Sequence, residues 1–199
     1  MQRSLLTLAN ILLCVVALSA CGGAQPRRTY TGPLLNPSHL GDDFLWRQRI
    51  DAAHSKGRVS FSAVVQKRGA KLILLGLTPF GTRAFVLEQT NNRIRFQSFI
   101  PQALPFPPHY MLIDFHRVFQ VGSQHSDGWH CQPFRTERMC DFWKGQHLLR
   151  RNYQSLANPS DPRITVDYAG GYARNAPPSQ VTLTNPWFNY TLRITTLAR

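Results

Sequence analysis

From Asp42 onward the chain alternates apolar and polar side chains with a period of two over most of its length. Phe44, Trp46 and Ile50 occupy the even positions of a first strand-like segment. Val59, Phe61, Ala63 and Val65 then alternate with Arg58, Ser60 and Ser62, the pattern of a half-buried strand. Lys71 to Leu77 reads KLILLGL, an apolar run that predicts a strand covered on both faces. Thr82 to Gln89 predicts another, with Phe85 and Leu87 on one face. Thr78-Pro79-Phe80-Gly81 joins these two as a hairpin turn, because Pro suits the second position and Gly the last. Asn91-Asn92 marks a second turn before Arg93–Phe99. Four or five consecutive strands are therefore expected to be hairpin-linked and antiparallel.

The prolines of PQALPFPP, residues 101–108, cannot sit in a central strand and end this first sheet region. A helix is expected from about His109 to Val121, with Leu112, Phe115 and Phe119 near one face, followed by a loop over 122–128. Trp129 to Trp143 predicts a short hairpin, and His147–Tyr153 and Arg163–Tyr168 predict strands separated by the turn-rich NPSDP at 158–162. Gly170-Gly171 and Pro177-Pro178 are expected to bracket a loop before a closing hairpin of Val181–Thr184 and Tyr190–Thr196. The expectation is a mainly β (α+β) fold of about nine to eleven strands with one or two helices, the antiparallel sheet curving around a helix.

Composition agrees. Apolar residues make up 43% of the 199 residues, which suffices for a packed core. Glu88 and Glu137 are the only glutamates, which leans away from helix-rich folds and from chemistry that needs several paired carboxylates. Lys and Arg number 23 against 10 Asp and Glu, a formal charge of +13. Such a charge ordinarily points to nucleic acid, but the first twenty residues point elsewhere.

Those residues, MQRSLLTLANILLCVVALSA, combine a basic start at Arg3 with an apolar stretch from Leu5 to Leu18, shorter than a spanning helix. The run Leu18-Ser19-Ala20-Cys21 resembles the bacterial lipobox, in which the peptidase cuts before the Cys and the Cys carries lipid. The resemblance implies a signal peptide over 1–20, an acylated Cys21, a lipidated tether over 21–41 and a folded domain over 42–199. Several acyl chains anchor a protein effectively permanently, at ~0.8 kcal/mol per buried CH₂. Gly22 after the Cys implies sorting to the outer membrane of a Gram-negative bacterium, facing the periplasm. Nucleic acid is discounted there. Anionic lipid headgroups or an acidic periplasmic carrier protein fit the charge better, with Arg93, Arg95, Arg150-Arg151 and Arg27-Arg28 as candidate contacts.

Cys14 leaves with the signal and Cys21 takes the lipid, so Cys131 and Cys140 remain as an even pair in an oxidising compartment. A disulfide between them is one reading. A metal site of Cys131, Cys140, His125 and His130 is the other, although it lacks paired metal-ligand spacing. No cofactor is expected. The chain shows no GxSxG elbow, HExxH helix or P-loop, and Ser126, Asp127 and His130 make a triad only by proximity, so no enzyme is expected.

Three stretches carry a wider resemblance. LILLGLTPFGTRAFVLEQ (72–89) resembles the strand–NPLG–strand hairpin of the outer-membrane receptor among the LolA/LolB-type lipoprotein carriers. PFPPHYMLIDFHRVFQVG (105–122) resembles its proline-rich helix entry, and PPSQVTLTNPWFNYTLRITT (177–196) its terminal hairpin. More closely, the layout resembles an uncharacterised lipoprotein family encoded beside aryl-polyene biosynthesis genes. The region 123–150, with its Cys pair and two Trp, departs from the receptor pattern.

What the resemblance implies is an incompletely closed β-barrel with a helical lid and an apolar cavity for an acyl chain or lipidated cargo, an aryl-polyene lipid among them. Candidate pocket residues are Trp46, Phe61, Leu74, Phe85, Leu87, Phe96 and Ile113, for each of which plain core packing is the competing reading. The loop Pro79-Phe80-Gly81 is implied to enter the membrane. The alternative function is a structural or assembly lipoprotein whose filled barrel holds a protein partner.

Overall fold

Period-two patterning becomes strand wherever the sequence carries it. The computed structural model describes residues 32, 34–55, 57–101, 107–120, 122, 126–173 and 177–198. The expected signal segment, Cys21 and residues 22–31 and 33 of the tether lie outside these residues, Arg27-Arg28 among them, as does His125. The strands are β1 (Phe44–His54), β2 (Gly57–Arg68), β3 (Lys71–Leu77), β4 (Arg83–Thr90) and β5 (Arg93–Ser98), then the helix α1 (Pro108–Phe119). After it come β6 (Gly128–Phe134), β7 (Glu137–Lys144), β8 (His147–Ser155), β9 (Ile164–Tyr172), β10 (Gln180–Asn185) and β11 (Tyr190–Ala198). A 3-10 turn, Pro37–Leu40, precedes them, capped by the Asn36 side chain.

All eleven strands form one antiparallel sheet in the order β5-β4-β3-β2-β1-β11-β10-β9-β8-β7-β6. Two meanders thus diverge from the central β1–β11 pair, and β5 and β6 stand at opposite edges of an open sheet. This is the incompletely closed antiparallel architecture expected, at the upper end of the expected strand count. Register is continuous across the first meander: Trp46 lies opposite Val65, Val65 opposite Leu74, Leu74 opposite Leu87, and Leu87 opposite Phe96. Residues paired in this way share one face. That face is concave and carries α1, as the ring contact between Trp46 and Phe119 at 5.2 Å shows.

Three expectations change. β3 alternates buried Leu72, Leu74 and Gly76 with half-buried Ile73, Leu75 and Leu77, so its outer face is not covered among the described residues. Gly170 and Gly171 lie inside β9 with positive φ rather than in a loop. The single α-helix among the described residues is buried beyond its expected apolar face: Leu112 through Phe119 are all buried, Asp114, His116 and Arg117 included.

Candidate functional site

The helix divides the concave face into two unlike halves. Over β7–β11 a network of buried ion pairs and hydrogen bonds is set among apolar side chains. Arg117 on α1 donates to Glu137 on β7 through Nη2 (2.6 Å) and Nε (3.3 Å), and to Asp114 through Nη1 (2.8 Å). Asp114 also accepts from Asn185 (2.9 Å) and from the Tyr190 hydroxyl. Arg151 on β8 makes a two-pronged pair with Asp141, Nε to Oδ1 at 2.7 Å and Nη2 to Oδ2 at 2.8 Å. Each charge is buried, and each has a geometric partner, which is the condition for burying charge at all.

The same half captures the end of the helix. An α-helix leaves its last four carbonyls without intrahelical partners. Here Tyr153 donates to the Arg117 carbonyl (3.0 Å), Tyr168 to Val118 (2.7 Å), Tyr172 to Phe119 (3.1 Å) and Arg151 to Gln120 (3.0 Å). Burial raises the pKa of all three tyrosines, Tyr172 to about 12, so they remain hydroxyl donors. The Arg151 cation at this C-terminus also complements the helix dipole.

Over β1–β5 the concave face is mainly apolar, with Gln48, Lys67 and Gln89 as its buried polar residues. Phe61 and Phe85 meet edge to face at 5.8 Å, and Phe85 and Phe96 lie 6.2 Å apart. Gly76 makes this possible, because a Cβ there would collide with the Phe85 ring. Trp46, Leu74, Phe85, Leu87 and Ile113 are buried, whereas Phe61 is half-buried and Phe96 is 39% exposed. Val59, opposite buried Ala52 and so on this same inner face, is 45% exposed. The apolar side is therefore packed near α1 and opens towards the end of β2 that holds Val59.

That end also carries the β3–β4 turn. β2 runs past the end of β3, where Leu77 lies opposite Ser62, so Val59 and the turn project from the same end. The Gly81 N–H donates to the Thr78 carbonyl at 2.9 Å, with Gly81 at φ 77°, as a tight turn requires. The two threonine hydroxyls of Thr78 and Thr82 bond at 2.8 Å and brace its base. Phe80 at the tip is 92% exposed. At the same end of the sheet Phe99 is 44% exposed, with the Arg83 guanidinium 5.5 Å above its ring, and Arg58 at the start of β2 is exposed.

The remaining candidates fall as follows. Cys131 and Cys140 lie opposite one another on β6 and β7 and form a disulfide, which commits both sulfurs that the metal reading needed. His130 bonds the Ser126 carbonyl at 2.8 Å, while Asp127 accepts from the Gly145 N–H at 2.6 Å instead of orienting that imidazole. Arg93 and Arg95 are exposed on edge strand β5. Arg151 is not a surface contact, because it is fully buried on Asp141, and Arg150 pairs with Asp167. Sequence reasoning passed over Asp114, Arg117, Glu137, Asp141 and the three tyrosines. Their signal is weak, since each partner lies across the sheet. It passed over Gln48 too, whose signal is plain: a polar residue in the apolar phase of β1 between Trp46 and Ile50.

Comparison with known proteins bears on the fold described. No curated protein matches the chain. Among solved structures it is similar to a crystal structure of the LolA superfamily protein NE2245 from Nitrosomonas europaea. The two share 12% identity, over 78% of this chain and 84% of that one, at a TM-score of 0.44. A family model described as "Protein of unknown function (DUF3261)" matches residues 45–198. The expected likeness to an uncharacterised family is met by the family-model match. It runs from the start of β1 to the end of β11, and the chain belongs to the DUF3261 family.

Proposed function

We propose that this protein is a lipid-anchored carrier at the periplasmic face of the outer membrane that shelters an acyl chain in the apolar half of its concave face. One observation carries the reading: Val59, Phe61 and Phe96 lie on the inner face of the sheet yet remain exposed or half-exposed. An inner face that serves only as core buries such residues. Each CH₂ moved from water onto them gains ~0.8 kcal/mol, which is what an acyl chain in transit through the periplasm requires. Cargo and protein partners meet at the rim, where exposed Phe80 is placed to enter the bilayer interface and Arg58 and Arg83 to face anionic headgroups.

The half over β7–β11, with its ion pairs and captured helix, favours a second reading, a partner-holding lipoprotein with a filled barrel. Native mass spectrometry of the full chain released from micelles separates them. The carrier reading expects co-purified acyl species that are lost in Phe61→Asp and Phe96→Asp. A chain that never carries such species, in folded wild-type protein, leaves the filled-barrel reading.

A further inference from the structure

Two glutamines lie on the inner face of the first meander, and both are buried. Gln89 on β4 is fully satisfied: its Nε2 donates to the Leu35 carbonyl (2.6 Å) and the Asn91 carbonyl (2.7 Å), and its Oε1 faces His116 Nε2 at 2.8 Å. Gln48 on β1 is 1% exposed, and its Nε2 has no hydrogen-bond partner among the described residues. A buried amide donor left unpaired is costly, and polar groups held at such sites normally meet an acceptor.

The surroundings define that acceptor. Gln48 lies between Trp46 and Ile50 along its strand and opposite Ala63 and Thr196 on its neighbours. The Thr196 hydroxyl donates to the Pro178 carbonyl at 2.9 Å and makes no bond with Gln48 Nε2. The next level outward pairs Ile50 with Phe61, both half-buried, and the one beyond pairs Ala52 with exposed Val59. Gln48 is thus a lone donor on the floor of the apolar side, about 13 Å below Val59 at ~3.4 Å of rise per strand residue. Lys67, the buried cation on the inner face of β2, is held by Asp43 at 2.9 Å, so a carboxylate brought to the depth of Gln48 stays uncompensated. A neutral carbonyl needs only the one donor.

We infer that Gln48 Nε2 is a binding-site donor for a neutral ester or amide carbonyl borne on an apolar chain. The site takes acylated molecules in preference to bare hydrocarbon and to free fatty acid. The inference rests on the carrier reading and adds to it the chemical class of the ligand.

Native mass spectrometry of the full chain in micelles tests it, with methyl palmitate, octadecane and palmitate as probes. The wild-type chain is expected to retain methyl palmitate about fivefold over octadecane, the worth of one net hydrogen bond, and palmitate no better than octadecane. In Gln48→Met, which keeps shape but removes the donor, the ester-to-alkane ratio falls to about one while octadecane retention is unchanged. Gln48→Leu is the second variant if the first fails to fold, and the wild-type ratio stands without either. Equal wild-type retention of ester and alkane, a preference for palmitate, or an ester preference that survives in Gln48→Met overturns the assignment and leaves the carrier reading intact. Retention of none of the probes overturns both.

Discussion

Arg151 illustrates how much of the interior depends on single side chains. Its guanidinium spans Asp141 on the neighbouring strand and the Gln120 carbonyl beyond the helix end, with no exposure to water. Removing one member of a buried pair strands the other charge, so Arg151→Met is expected to cost ~3–5 kcal/mol in denaturant unfolding. Adding Asp141→Leu is expected to recover much of that loss, because two apolar partners leave no stranded charge. His116 makes a second residue-scale argument. Burial, with a smaller contribution from His39, depresses its pKa from 6.5 to about 4. Between those values the unfolded chain binds a proton that the native protein does not. Stability from this group is therefore complete above pH 6.5 and falls as pH drops towards 4, by ~1.4 kcal/mol per pH unit. Equilibrium unfolding of wild type and His116→Gln across this window is expected to diverge with that slope. Parallel curves would mean that His116 titrates normally in the native state.

At the scale of elements, the strands were legible and the role of the helix was not. Val59 to Val65 announces β2 because period-two burial is a local property, readable from neighbours. Helix α1 reads with Leu112, Phe115 and Phe119 near one face, and nothing local marks Asp114, His116 and Arg117 as buried too. Their partners Asn185, Gln89 and Glu137 stand far away in sequence and meet them only when the sheet curls. The candidate site follows the same division. The aromatic row of Phe61, Phe85 and Phe96 is periodic and visible, whereas the empty donor of Gln48 depends on what faces it across the strands. The edge hairpin β6–β7 was legible through its cysteines. β6 has strand pairing on one side only, so it holds its place with less support than an inner strand, and the Cys131–Cys140 bond ties it to β7. Replacing both cysteines by Ser is expected to lower stability by ~2–3 kcal/mol and to raise hydrogen exchange in β6 before the inner strands. Uniform exchange along the sheet would show that the bond does not hold this edge.

At the largest scale, the described domain is a basic, open half-barrel whose apolar side opens at the end that bears Phe80. Two devices are proposed to hold it at a membrane, and they are separable. Cys21→Ala removes the acyl anchor and is expected to abolish fractionation with the outer membrane. A variant that still fractionates there at high salt and with Phe80→Glu added is held by a protein partner. The second device acts in the chain from residue 22 onward, which lacks the acyl group. Phe80 stands 92% exposed on a turn stiffened by its own backbone bond, Pro79 and the Thr78–Thr82 hydroxyls. A large ring at such a tip gains nothing from packing, because water surrounds nearly all of it, but gains on reaching a bilayer interface. Without Arg3 the full-chain charge of +13 becomes 13 − 1 = +12, which draws the chain from residue 22 onward to anionic vesicles over a distance set by salt, so binding has an electrostatic and an apolar part. Phe80→Glu removes the apolar part and adds a repelled charge. Thermal stability is expected to change by less than about 1 kcal/mol, as at other exposed positions, while binding to vesicles with anionic lipid falls. High salt is expected to weaken wild type but leave it above the variant, since the ring's contribution is not screened. If wild type and variant bind alike at every salt concentration, Phe80 has no part in membrane contact, and the charge alone accounts for the attraction.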